Sequence, residues 1–228
     1  MPNRLFSLIL GVLLVSICHT NQAHAVLFGF GPVTNNNATN VATGISQLSV
    51  DVTSYNSSTI QFYFANSGPL ASSITDIYFD DNANTIALPM SIINGSGVSF
   101  SPGASPNNLP GGNAIGFQND AGFDSDSNTP TQPKGINPGE WLIIRLQYEG
   151  ASNLNSVVAA LTNQTLRIGI HVQGFSNGGS ESFVSGPMPT AVVPEPATYL
   201  LLASSLMHLA IIQQKTRKNR NRGSQISD

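Results

Sequence analysis

The sequence predicts an all-β protein: an antiparallel β-sandwich with one short helix, flanked by an N-terminal signal helix and a C-terminal membrane helix. Three observations lead there. Apolar and polar residues alternate at period two in many short segments, as strands with one buried face require. Gly and Pro, 21 and 14 of them, punctuate these segments as turn residues do. Only 9% of residues are charged, so Asn, Ser and Thr must solvate the surface, which is common in exported β proteins. A disordered chain of such polarity would carry a high net charge, and the formal charge is only −3.

Taken in order, the body starts with an Asn- and Gly-rich stretch, residues 26–43, that reads as an irregular arm. In "QLSVDVTS", Leu48, Val50 and Val52 share one strand face. In "STIQFYFAN", Ile60, Phe62 and Phe64 do the same, with Gln61 and Tyr63 opposite. "SITDIYFDD" and "TIALPMSI" are two more strands, and Pro89 makes the second an edge or bulged one. Residues 101–138 read as loop. "EWLIIRLQYEG" lines up Leu142, Ile144, Leu146 and Tyr148. "NLNSVVAALTNQ" switches to helical spacing through Leu154, Val157, Val158 and Leu161. "TLRIGIHVQGF" returns to alternation, and "SESFVS" supplies a last strand after a Gly-Gly turn. Short strands, frequent turns and one small helix make a sandwich.

The ends carry the addresses. Arg4, an apolar run over residues 5–17 and Ala23-His24-Ala25 follow the order of a secretory signal peptide, residues 1–25. Small residues at Ala23 and Ala25 place signal-peptidase cleavage before Val26. The sole cysteine, Cys18, falls in this segment, so the mature chain has no thiol or disulfide. Residues 26–189 form the β domain, and residues 190–228 form a tail. There, Val193-Pro194-Glu195-Pro196 is held extended, because each proline fixes its own φ and biases its predecessor. Residues 197–212 are mostly apolar and make a helix of about 24 Å, short against a hydrocarbon core of about 30 Å. Lys215, Arg217, Lys218, Arg220 and Arg222 then hold that end on the cytoplasmic side.

An extended Val-Pro-Glu-Pro tag, a short apolar segment and a basic cluster, in that order, resemble the PEP-CTERM sorting signal of bacterial exported proteins. The resemblance implies that a membrane-embedded exosortase recognises Val193, Pro194, Glu195 and Pro196. It further implies cleavage of the tail and delivery to the cell surface or to extracellular polysaccharide. His208 in the apolar segment and "GSQISD" after the basic cluster depart from the family pattern. "GINPGEWLIIRL" with "LRIGIHVQGFSNGGSESFV" is similar to a β-rich region of some such proteins, a likeness that implies no activity.

Three basic residues of the body, Lys134, Arg145 and Arg167, face ten acids, which gives nucleic acid no electrostatic footing. His171 is the body's only histidine, so no multi-histidine metal site can form. It shares a polar strand face with Arg167, Gly169 and Gln173. No nucleophile elbow or phosphate loop occurs. Catalytic residues are therefore expected to be none, and no cofactor is required. Glu140, Glu149 and Glu181 are the glutamates from which a glycosidase pair would be drawn. In "NDAGFDSDSN", Asp120, Asp124, Asp126 and Asn128 place oxygen donors as calcium demands. Thr129 and Gly135 stand where an EF-hand needs Gly and Glu, so a solvated acidic loop is the plainer reading.

The leading expectation is a non-enzymatic exported component of the surface or matrix. A carbohydrate- or calcium-binding module held in extracellular polysaccharide is the alternative, and a secreted glycan-acting enzyme the third. A row of exposed aromatics, with Trp141 and Tyr63 as candidates, favours the second; two carboxylates across a cleft favour the third.

Overall fold

The computed structural model describes residues 25–186. Ala23, the Val193–Pro196 tag, the 197–212 segment and the basic cluster lie outside the described residues. Ala25 lies inside them and is exposed, directly ahead of the first strand. Among the described residues, no helix is long and apolar enough to cross a membrane.

The strands are β1 (Val26–Pro32), β2 (Leu48–Asn56), β3 (Thr59–Asn66), β4 (Ser73–Asp81), β5 (Ile86–Asn94), β6 (Phe100–Pro102), β7 (Ser125–Ser127), β8 (Trp141–Tyr148), β9 (Leu166–Gln173) and β10 (Glu181–Ser185). Helices α1 (Ala38–Gln47), α2 (Thr131–Lys134) and α3 (Leu154–Thr162) connect them, with a 3-10 turn at Gly112–Ile115. Every strand pairing is antiparallel, and the order is β5-β8-β3-β2-β1-β10-β9-β4-β7-β6. The antiparallel β class stands as the alternation predicts. The layering differs from two separate sheets, because β1 joins both halves: residues Val26 to Gly29 pair with β2, and Phe30 to Pro32 pair with β10.

The single sheet wraps in a barrel-like way around one core. Phe79 of β4 meets Phe62 and Phe64 of β3 edge-on across that core, with ring centroids at 5.1 and 6.5 Å. Such edge-to-face contacts add to the gain from apolar burial. The outermost strands also meet. Asn94 of β5 accepts a 2.7 Å hydrogen bond from the Phe100 amide of β6 and returns one to its carbonyl at 3.3 Å. This side-chain stitch blunts two edges that would otherwise invite foreign strands.

Three corrections follow. Residues 26–43 are not an irregular arm, since β1 and most of α1 occupy them. Phe28 and Phe30 alternate inward between exposed-side Gly29 and Gly31. Helix α1 was hidden because its buried face is polar, formed by Asn40, Thr43, Gly44 and Gln47. Gly44 is required there, because a Cβ would stand 2.2 Å from the Phe183 ring. Second, the described residues hold three helices rather than one; α3 is the predicted one, closed by an Asn153–Ser156 capping box. Third, the 101–138 loop contains the end of β6, the 3-10 turn, β7 and α2. Strand β5 is an edge strand with a register shift between Ala87 and Ser91, around Pro89, as proline demands.

Candidate functional site

All nine residues of β4 are buried, including those facing away from the core. The 103–124 segment makes this so by folding over the outer face of β4 and β9. Tyr78 packs there with Leu109 and Phe117, and its hydroxyl donates to the Pro106 carbonyl at 3.0 Å. Gly169 lies opposite Tyr78 in β9. A Cβ at Gly169 would come within 2.9 Å of both Leu109 and Phe117, so glycine lets the loop settle on the sheet. Two register positions further along, on the same face, Arg167 pairs with Asp80 and also donates to the Ile115 and Gly116 carbonyls at 2.9 and 2.7 Å. Asp80 in turn accepts from the Gln118 amide at 3.2 Å and Asn82 at 2.7 Å.

On the other side of Tyr78, register aligns Ser182, His171, Asp76 and Asp126 across β10, β9, β4 and β7. His171 Nδ1 lies 3.1 Å from Asp76 Oδ2, which also accepts from Thr75 Oγ1 at 2.7 Å. The order serine, histidine, aspartate is that of a nucleophilic triad. Ser182 does not complete that arrangement here: it is 1% exposed and its hydroxyl makes no hydrogen bond to His171.

Burial, then the negative charge of Asp76, push the Asp126 carboxyl up to about 6. Amides of Ser127 and Ser105 partly offset this, and the protonated Asp126 hydrogen-bonds Asp76. Burial first, then Asp76, Asp126 and Asp124, hold the Tyr78 hydroxyl protonated far above its ordinary range.

Between about pH 4 and 6 the unfolded Asp126 carboxyl ionises while the folded one keeps its proton. Its contribution to stability is therefore full below about pH 4 and is lost as pH rises through 6. Solvent screening leaves about 1 kcal/mol of this. Asp126→Asn keeps the shape and the donation to Asp76. Its melting temperature, compared with the parent's from pH 3.5 to 7.5, is expected to pull ahead by a few degrees across that window. A constant offset with pH counts against a retained proton.

Each of the four calcium candidates has its own partners in this fold. Asp120 Oδ2 accepts from the Asp81 amide at 2.6 Å. Asp124 Oδ2 accepts from the Ala104 amide at 2.7 Å. Asp126 faces Asp76, and Asn128 bonds Ser101 and Ser99 at 3.0 and 2.9 Å. No group of three or more His, Cys, Asp or Glu is arranged to hold a metal ion among the described residues.

The glutamates are dispersed as well. Glu181 is buried and accepts from Thr34 Oγ1 at 2.6 Å and from the Asn36 and Asn37 amides, so it anchors the segment between β1 and α1. Glu140 accepts from the Asn137 amide and side chain. Glu149 is exposed in a cleft of about 570 Å³, shared with Asp81, Asp120, Leu88 and Phe123. In that cleft Asp81 is already bound to the Thr85 and Ile86 amides at 2.6 and 2.9 Å.

His171 and Arg167 share one polar strand face, as the alternation of "TLRIGIHVQGF" predicts. Their partners Asp76 and Asp80 carry a weaker signal, alternating with the apolar Ile77 and Phe79 in "TDIYFDD". On the opposite side of the protein, Trp141 and Tyr63 stack on each other on the outer face of β8 and β3, centroids 5.7 Å apart.

No protein-family model matches the chain, and no curated protein matches it. Among solved structures, a crystal structure of the yeast GGA1 GAE domain aligns with 63% of this chain and 92% of its own at 12% identity. Its TM-score of 0.21 is too low to carry an argument about fold or function.

Proposed function

We propose that the chain is an exported protein sorted through a C-terminal PEP-CTERM signal, and that its β domain is a non-enzymatic surface or matrix component. The observation that carries this reading is the three-part order of the tail: Val193 to Pro196, the 197–212 apolar segment, then Lys215 to Arg222. An exosortase-type enzyme is the processing partner, and signal peptidase removes residues 1–25.

The boundaries of the domain support the same reading. Strand β1 begins at Val26, the residue after Ala23-His24-Ala25, and β10 ends at Ser185. The described core lies wholly between Phe28 and Phe183. Removing both signals leaves β1, and so the joint between the two halves of the sheet, intact. The non-catalytic assignment is supported by the carboxylates, which mostly bind backbone amides of their own fold, as Asp81, Asp120, Asp124 and Glu181 do. A carboxylate already receiving amide donors is a poor proton shuttle.

Mass spectrometry of the protein recovered from outside its native host tests the reading. The expected species starts at Val26 and ends near Pro196. Recovery of intact "KTRKNRNR" peptides from the fully mature extracellular form overturns the sorting half.

A further inference from the structure

The two outer faces of the sheet differ. The face of β4 and β9 lies under the 103–124 segment, whereas that of β8, β3 and β2 is left to solvent. On this open face stand Tyr55, Gln61, Tyr63, Trp141, Arg145 and Asp51, which include the chain's only tryptophan. Tyr55 is 54% exposed and the others are half-buried. Arg145 holds a fixed position there. Its guanidinium lies 3.5 Å over the Tyr55 ring, and its Nε donates to Gln61 Oε1 at 2.9 Å. The ion pairs among the described residues are Arg167–Asp80 and His171–Asp76, so Arg145 has no carboxylate partner. A domain with ten acids and three bases leaves one of those bases preorganised and unpaired on an open face.

We propose that this face is a binding site for a carboxylate-bearing glycan chain, with a sugar carboxylate taken by Arg145 and sugar rings lying along Tyr55, Tyr63 and Trp141. The planar guanidinium matches a carboxylate in two parallel hydrogen bonds, and holding its plane on Tyr55 lowers the entropy lost on binding. With the guanidinium on one face of Tyr55 and with Tyr63 and Trp141 stacked on each other, sugar C–H groups would meet the outer faces and edges of these rings, while Gln61 and Asp51 offer polar groups to hydroxyls. From the position of Trp141, opposite Ala65, to that of Tyr55 the row runs about 20 Å at ~3.3 Å per strand residue, room for several sugar units. Asp51 lies beside Tyr63, and its carboxylate keeps the anionic sugar at the Arg145 end.

Other occupants fit less well. Strands β8, β3 and β2 are all internal to the sheet, so no free backbone edge is available to pair with a peptide. A flat sheet face with one arginine gives an anionic lipid surface one point contact, whereas an extended glycan can lie along the whole aromatic row. The site does not depend on the tail's being a sorting signal, so either can fail alone.

The test is affinity electrophoresis of the intact chain through gels containing polygalacturonate, alginate or neutral dextran. Retardation by a polyuronate is expected, at least about tenfold stronger than by dextran. Arg145→Gln is expected to weaken it by about tenfold, close to the loss of one charge-assisted contact. Arg145→Lys keeps the charge without the fork and should fall between. Tyr63→Ala should weaken binding severalfold, and unchanged melting temperatures for Arg145→Gln and Arg145→Lys show that the loss is not unfolding. No retardation by either polyuronate overturns the proposal. So does retention that Arg145→Gln leaves unchanged, and so does stronger capture by acidic peptides or anionic vesicles.

Discussion

Asp80→Ala is expected to destabilise the domain by about 3 kcal/mol, because it strands the Arg167 guanidinium in a nearly closed site. The Asp80 side chain is 3% exposed and that of Arg167 14%, so water can replace the lost carboxylate only in part. Asp80 also receives the Gln118 amide and Asn82, and Arg167 ties down Ile115 and Gly116. The pair therefore fastens the 103–124 segment to the sheet as well as balancing charge. For a domain of this size the loss corresponds to about 10 °C in melting temperature. Adding Arg167→Met should recover much of it, since removing both charges costs less than orphaning one. The Ile115 and Gly116 carbonyls freed in that double variant are at exposed residues and can turn to water. Amide exchange in residues 104–120 should speed up in the single variant before the core opens. A melting temperature within about 2 °C of the parent would show that the segment is held by Tyr78, Leu109 and Phe117 alone.

Replacing Pro194, Glu195 and Pro196 together by alanine is expected to stop tail processing, with the unprocessed form accumulating in the membrane fraction. The prediction rests on the proposed sorting function. The apolar segment and its five basic neighbours still partition and anchor without the tag, so retention and recognition should separate. Alanines in place of the prolines would also let the helical tendency of the apolar segment extend upstream, removing the extended shape an enzyme reads. Grafting residues 191–228 onto an unrelated exported protein should transfer both steps, since none of the tail's physics needs the β domain. Neutralising the basic residues should instead weaken retention, because so short an apolar helix then meets little resistance to passage. If the triple-alanine chain is processed as fast as the parent, the tag is not the recognition element.

The amino-acid order alone specifies the strands that bury one face. Leu48, Val50 and Val52, or Leu142, Ile144 and Leu146, announce their period locally, because a strand's two faces are written into every second residue. It determined α3 through its spacing, and the edge character of β5 through Pro89. Helix α1 escaped because its buried residues are polar and glycine, leaving no apolar stripe to read. The short β6 and β7 escaped because three residues are too few to show a period. The folded packing settles that β1 joins the two halves into one sheet, since pairing partners far apart in the chain leave no local mark. It alone set Asp76 between His171 and Asp126, and Asp80 against Arg167. It also gives Asp120, Asp124, Asp126 and Asn128, close together in the sequence, a separate partner each. Spacing along a chain gives proximity only inside a regular element; across a loop, the backbone amides that need acceptors decide where each carboxylate goes.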